Sequence, residues 1–170
     1  DIDVIKIGSC SLLDWPLLAE VAKCKRPVVI STGGGEIDNI DKVVSFFSHK
    51  GVSFALMHCV SIYPTKKEDL QLNQISFLKN RYPFLKIGFS THESPDQMNP
   101  IQIAVAKGAS LFERHVGIQT DSIKLNAYSS TPAQAREWVR SAKMAFDICG
   151  SDERLTPSKE EIESIESLKR

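Results

Sequence analysis

Two histidines of this sequence are spaced so that they could share a metal ion. His92 and His115 each follow a short apolar run that is typical of a buried strand. If these runs are neighbouring parallel strands, about 4.8 Å apart, both imidazoles can reach one ion. Two neutral imidazoles with no thiolate nearby suit a divalent ion such as Mn, Fe, Co or Zn that keeps positions open for substrate and water. A structural role for each histidine is the alternative that the spacing leaves open.

A lysine and several hydroxyl groups could bind an anion. Lys6 stands inside an apolar run, where a lysine is costly to bury unless it faces an anion or a carboxylate. With the hydroxyl groups of Ser9, Ser31 and Ser90 it predicts a cradle for a phosphate and a carboxylate. The small residues 31–35 (STGGG) could also bring backbone N–H groups close to an anion, although this segment taken alone favours a tight turn between a strand and a helix.

Nucleophilic catalysis and nucleotide binding have little support in the sequence. It contains no GxSxG, GxGxxG or P-loop motif. His58 and Cys59 are adjacent in a strand-like run, so their side chains should point to opposite faces and not form a dyad. Tyr63 places an aromatic hydroxyl in the following loop, where it could bind substrate or fill the core.

The composition excludes several function classes. Of the 170 residues, 42% are hydrophobic and 25% are charged, as in a globular protein, and no apolar run approaches the ~18 residues of a membrane-spanning helix. The 21 basic and 21 acidic residues balance, so we expect no nucleic acid and no membrane as partner. The four cysteines are far apart and form no CxxC pair, which predicts free and mostly buried thiols and a cytoplasmic location.

One structural unit repeats about five times along the chain. Apolar runs recur about every 25 to 30 residues, which is the length of a strand and a helix together. The predicted strands are Val4–Ile7, Pro27–Ile30, Ser53–Met57, Lys86–Phe89 and Ser110–Phe112. Helices are predicted from an N-cap at Asp14, and at Glu36–His49, Leu72–Arg81, Pro100–Lys107, Thr131–Ile148 and Ser158–Leu168.

This alternation predicts an α/β fold with a parallel sheet, either an open doubly wound sheet or part of a (β/α)8 barrel. The barrel is favoured because polar residues end all five strands, and a barrel brings all its strand ends to one face. Five units cannot close an eight-stranded barrel, and the chain begins in a strand-like run without an initiator Met. We therefore expect residues 1–150 to be the C-terminal portion of an incomplete TIM barrel, and 151–170 a charged helix or linker that leaves it.

The motifs, taken in order, resemble those of the N-acetylneuraminate (sialic acid) synthase family. They are KIGS at 6–9, STG at 31–33, HCVSIYP at 58–64, GFSTH at 88–92 and ERH at 113–115. The likeness covers residues 1 to about 150 and would correspond to strands four to eight of the family's barrel.

The resemblance implies a transferase of surface-polysaccharide biosynthesis that condenses phosphoenolpyruvate with an N-acyl amino sugar such as N-acetylmannosamine. The products would be a nine-carbon 2-keto sugar acid and phosphate. His92 and His115 match the family's metal ligands, with Mn2+ expected and Mg2+ or Co2+ as alternatives. The residues that match phosphoenolpyruvate contacts are Lys6, Ser9, Ser31, Ser90 and Tyr63, and Ser61 stands where the family has Asn or Ser. The catalytic set is then Lys6, Tyr63, His92 and His115, in a full-length protein that we expect to be a homodimer.

Three positions depart from the family pattern. Ser11, Thr91 and Leu125 stand where the family usually has acidic residues, and we assign all three positions to sugar-side elements. Next to Leu125, only Asn126 is polar. The donor and metal elements are therefore kept, while the acceptor is open. There are two alternatives. One is a related synthase that uses a different aldehyde as acceptor, and the other is a catalytically silent homologue that binds sugar or phosphate. The segment alone is expected to be inactive.

Overall fold

Five parallel strands form half of a barrel. The computed structural model describes residues 2–169 of the chain. Its sheet has the order β1-β2-β3-β4-β5 with every neighbouring pair parallel, which confirms the predicted architecture. The strands are β1 (Ile5–Ile7), β2 (Val28–Ser31), β3 (Phe54–Cys59), β4 (Lys86–Thr91) and β5 (Leu111–Arg114).

Helices connect the strands and cover one face of the sheet. Asp14 begins the first helix as predicted, its side chain accepting a hydrogen bond from the backbone N–H of Leu17. Thr131 begins the fifth helix, where it forms a reciprocal capping box with Gln134. The helices are α1 (Trp15–Lys23), α2 (Ile37–His49), α3 (Asn73–Arg81), α4 (Asn99–Ala106), α5 (Pro132–Cys149) and α6 (Lys159–Leu168).

Three strands extend two residues further than their apolar runs predicted. In the sequence, β3, β4 and β5 stop at the last large apolar residue, but strand pairing continues through Cys59–Ser90 and Thr91–Arg114. Polar side chains that alternate between the two faces leave the backbone hydrogen bonds intact, so polarity does not end the strand.

The two faces of the sheet have different roles. Side chains on the outer face pack with the helices in one core, which contains Ile7, Ile30, Leu56, Ile87 and Phe89. The inner, concave face carries the alternate residues, and several of them are polar. These inner residues are Lys6, Ser31, Cys59, Ser90 and Glu113. The period of two along each strand therefore separates core residues from site residues.

Helix α6 lies outside this core. None of its residues is buried, and its apolar residues Ile162 and Ile165 are about half exposed. It is the predicted charged helix after the barrel portion. Within residues 2–169, no helix has the length and apolar character needed to cross a bilayer.

Candidate active site

A pocket of about 430 Å³ lies at the carboxyl ends of the strands, on the inner face. Its lining includes eight of the nine residues that the sequence predicted for the site: Lys6, Ser9, Ser31, Ser61, Tyr63, Ser90, His92 and His115. Gly8, Cys10, Gly33, Cys59 and Glu113 complete it. All five strand ends contribute, as expected for a barrel fold whose strand ends meet at one face.

The two histidines face each other across this pocket. The ring centroids of His92 and His115 are 5.2 Å apart, edge to face. His92 is buried, and its Nδ1 lies 3.4 Å from the carbonyl oxygen of Val60. Because a carbonyl can only accept, this contact assigns the proton to Nδ1 and leaves the lone pair of Nε2 free.

The electrostatics of the pocket favour a neutral His92. Burial lowers the pKa of His92, and the nearby His115 and Lys6 lower it further, while the Val60 carbonyl and the Glu113 carboxylate oppose this shift. A neutral imidazole with a free Nε2 lone pair is the form that binds a metal ion.

The donor set fits a weakly held divalent ion with open coordination positions. In the described part of the chain no group of three or more His, Cys, Asp or Glu side chains is arranged to bind a metal. The pair of imidazoles therefore supplies two ligands, and water and substrate oxygens would have to supply the others.

Lys6 is paired with a carboxylate inside the pocket. Its Nζ lies 2.5 Å from Oε2 of Glu113, and the two side chains are 34% and 38% exposed. This satisfies the expectation that a lysine in this strand faces an anion or a carboxylate. An ammonium has three donors, so a single ion pair leaves Lys6 able to contact a bound anion as well. The sequence assigned no role to Glu113, although its position two residues before His115 places it on the same face.

The segments that carry the hydroxyl groups approach each other closely. The N–H of Gly33 donates to Oγ of Ser9 at 3.0 Å. A Cβ on Gly33 would lie 2.3 Å from Oγ of Ser61 and 2.8 Å from Oγ of Ser9, so only glycine fits there. Oγ of Ser31 is buried and makes no hydrogen bond within residues 2–169, so it is free to donate to a ligand.

The glycine-rich segment forms a tight turn in this structure. The N–H of Gly35 donates to the carbonyl of Thr32 at 3.0 Å, and the N–H of Gly33 is occupied by Ser9. These two N–H groups are therefore committed to the protein. This arrangement agrees with the turn interpretation of residues 31–35 more closely than with an anion-binding loop.

Two tyrosines surround the histidine pair. The ring of Tyr63 is 51% exposed and its centroid lies 4.3 Å from that of His92, so Tyr63 belongs to the site and not to the core. The ring centroid of Tyr128 lies 5.1 Å from that of His115. Tyr128 was not predicted from the sequence, because the loop 116–131 has no periodic pattern. Asn126, which the sequence placed at the site, is exposed and outside the lining, and its Oδ1 accepts from the N–H of Tyr128 at 3.1 Å.

None of the three departures from the family pattern lines the pocket. Ser11 ends a short 3-10 helix beside it, and Leu125 lies against Gly117 in the last loop. Thr91 is buried on the outer face of β4, opposite Arg114 of β5. The grouping of Thr91 with acceptor-side elements was therefore wrong, because the alternation of β4 turns it away from the substrate side.

His58 and Cys59 do point to opposite faces. Nε2 of His58 donates to the carbonyl of Leu70 at 2.8 Å on the outer side, and burial lowers the pKa of His58. Sγ of Cys59 lines the pocket 4.0 Å from Nδ1 of His92. All four cysteines, at positions 10, 24, 59 and 149, are free thiols, as predicted. The prediction that most of them are buried was wrong, because only Cys59 is buried and the other three are exposed.

Solved structures of similar proteins share this fold. The chain matches a spore coat polysaccharide biosynthesis protein E of Chromobacterium violaceum with a TM-score of 0.95 and 47% identity, covering 98% of this chain and 50% of that one. It also matches the N-acetylneuraminic acid (sialic acid) synthetase of Leptospira borgpetersenii in complex with citrate. There the TM-score is 0.88 and the identity 30%, over 98% of this chain and 57% of the other.

A curated relative and a family model agree with these structures. The N-acetylneuraminate-9-phosphate synthase of Drosophila melanogaster is 40% identical over 116 residues, which are 68% of this chain and 31% of the relative. The chain thus spans between about a third and somewhat over half of the length of these proteins. The family model described as NeuB family matches residues 1–154. The chain belongs to the NeuB family.

Proposed function

We propose that the protein to which this chain belongs condenses phosphoenolpyruvate with an N-acyl amino sugar, giving a nine-carbon 2-keto sugar acid of the sialic-acid type and phosphate. The observation that carries this proposal is the pocket itself. It combines a lysine cation, hydroxyl groups and a pair of facing histidines at the carboxyl ends of the strands. The similar synthases named above support the same reaction class.

Phosphoenolpyruvate would bind along β1, β2 and β4. Lys6 would contact its phosphate or carboxylate, and the hydroxyl groups of Ser9, Ser31 and Ser90 would donate to the remaining oxygens. Charge-assisted hydrogen bonds of this kind are stronger than neutral ones and fix the orientation of the anion. The hydroxyl of Tyr63 and that of Ser61 would border the same ligand from the loop after β3.

The reaction balances with one water. C3 of the enol forms a C–C bond to the aldehyde carbon of the acceptor, water adds at C2, and the C2–O bond to phosphate breaks. A divalent ion bound by His92 and His115, with Mn2+ as our first choice, would polarise the aldehyde carbonyl. The chain's own residues hold the donor in place and keep His92 neutral, so that its Nε2 is available in the pocket.

The acceptor we propose is an unphosphorylated N-acetylmannosamine. Three donor carbons and six acceptor carbons give nine, so C6 of the acceptor becomes C9 of the product. The names of the relatives include both a 9-phosphate product and a plain acid. Lys6 is the one Lys or Arg among the described lining residues, and the donor requires it. That supply of positive charge favours an acceptor without phosphate.

Phosphate release from phosphoenolpyruvate tests the proposal in the protein at its natural full length. The assay contains Mn2+ and, in turn, N-acetylmannosamine, its 6-phosphate and simple aldoses. We expect release with the first sugar, strong loss in the Lys6→Ala variant, and no loss in Lys23→Ala, a matched control on the exposed side of α1. Release with a different aldose would indicate the related-synthase alternative. Release with none of them would indicate a silent homologue.

A further inference from the structure

A buried ion pair lies directly behind the two histidines. Nη1 of Arg114 donates to Oε1 of Glu93 at 2.7 Å, and Nη2 donates to the backbone carbonyl of Glu93 at 3.1 Å. The two side chains are only 2% and 0% exposed. Glu93 follows His92 in the chain and Arg114 precedes His115, so the pair joins the residues next to both imidazoles.

Arg114 also holds the last loop of the site. Its Nε donates to Oγ of Ser130 at 2.5 Å, and the N–H of Ser130 donates to the carbonyl of His115 at 2.9 Å. Ser130 lies two residues after Tyr128, whose ring packs against both histidines. One guanidinium therefore connects the three segments that carry His92, His115 and Tyr128.

This connection limits how the histidines can move. Glu93 directly follows His92, and Arg114 directly precedes His115, so a shift of the backbone at either residue displaces the adjacent imidazole. A buried charge that loses its partner is strongly unfavourable, so the two side chains stay together. Partners of this kind, which hold a metal ligand from behind, commonly affect metal affinity as much as tenfold or more.

The position of Glu93 also accounts for the departure at Thr91. The register of the sheet places Thr91 directly opposite Arg114, with its side chain buried and its Oγ1 making no hydrogen bond within residues 2–169. A carboxylate at position 91 would thus face the guanidinium. In this chain the carboxylate lies two residues later, in the bend after β4, and the longer glutamate side chain reaches back to Arg114.

We propose that Glu93 and Arg114 are positioning residues that set the separation of His92 and His115, and that Glu93 supplies the carboxylate missing from position 91. This inference rests on the proposed function, since the paired histidines matter there as metal ligands. It adds that a carboxylate from either position can serve, provided that it pairs with Arg114.

Mn2+ binding without substrates, followed by the electron paramagnetic resonance signal of free Mn2+, tests this in the full-length protein. We expect Glu93→Gln to weaken Mn2+ binding about tenfold. The double variant Thr91→Asp/Glu93→Thr moves the carboxylate back to position 91. Its Mn2+ affinity should return to within about threefold of that of the unchanged protein, which is distinguishable from a tenfold loss. Asp41→Asn, which breaks the remote Asp41–Arg81 pair between α2 and α3, serves as the matched control and should bind Mn2+ normally.

Circular dichroism establishes that each variant is folded. If Glu93→Gln does not fold, Glu93→Asp keeps the charge but withdraws it by one methylene, and it should also weaken Mn2+ binding. Where the unchanged protein binds Mn2+, a folded Glu93 variant with the same affinity would overturn the proposal. So would a folded double variant that binds no better than Glu93→Gln.

A crystal structure of the Glu93 variant separates this inference from the proposed function. We expect the His92–His115 ring separation to exceed the 5.2 Å found here. An unchanged separation refutes the positioning role, whether or not Mn2+ binds. A protein that binds no Mn2+, but whose histidines separate in the variant, contradicts the metal part of the proposed function and leaves the positioning role supported.

Discussion

Adjacent residues of β5 form two ion pairs that differ in almost every physical respect. Glu113 points into the pocket and pairs with Lys6, and both of these side chains remain about one-third exposed. Arg114 points away from the pocket and pairs with Glu93, where both side chains are almost completely buried. A ligand can rearrange a partly exposed ion pair at a small cost in free energy, whereas opening a buried pair leaves an unpaired charge. The strand thus presents an exchangeable ion pair to the pocket and a fixed one to the protein framework.

Breaking the buried pair should have the largest effect on stability. Arg114→Met leaves the Glu93 carboxylate without its cation and is expected to lower the free energy of unfolding by about 3–5 kcal/mol. Urea denaturation followed by circular dichroism measures this change. Replacing both partners, as in Arg114→Met/Glu93→Leu, should recover much of the loss, since no buried charge remains. If Arg114→Met were as stable as the unchanged protein, the buried Glu93–Arg114 pair would not be the fixed one of the two.

Breaking the pocket pair should affect ligand binding more than folding. Lys6→Ala removes charge-assisted contacts to phosphoenolpyruvate and should weaken its binding about ten- to a hundredfold. Because the Lys6–Glu113 pair is part exposed, the free energy of unfolding should change by less than about 1 kcal/mol. Isothermal calorimetry and urea denaturation measure the two quantities, with Lys23→Ala as the control. Unchanged affinity for phosphoenolpyruvate would show that Lys6 does not bind the donor.

A smaller effect concerns pH and the outer side of β3. Burial lowers the pKa of His58 below its ordinary value of 6.5, so the folded protein keeps this ring neutral while the unfolded chain takes up a proton. The contribution of His58 to stability is therefore complete above about pH 6.5 and is lost as the pH falls through that value towards the folded pKa. In urea denaturation between pH 7.5 and 5, His58→Asn should flatten this decline. Parallel profiles for the two proteins would refute it.

Much of this arrangement follows from residue spacing in the sequence. The recurrence of apolar runs, one in each strand–helix unit, predicted the sheet. The period of two along each strand predicted the inner-face residues from Lys6 to His115. The Glu93–Arg114 pair was missed because it depends on the register between β4 and β5 and on the path of the chain after β4. Asn126 was predicted at the site, but Tyr128 is the residue of this loop that contacts the histidines. A loop without periodicity gives no indication of which side chain turns inward.

The proposed condensation of phosphoenolpyruvate with an amino sugar depends on one divalent ion that His92 and His115 bind together. We would compare the full-length protein with its His92→Ala/His115→Ala variant in two experiments. Electron paramagnetic resonance measures Mn2+ binding, and phosphate release is measured before and after treatment with EDTA. We predict that the unchanged protein binds Mn2+ and loses activity in EDTA, whereas the variant binds no Mn2+ at this site, releases no phosphate and unfolds at nearly the same urea concentration. Phosphate release that survives both EDTA and the double substitution would contradict the account.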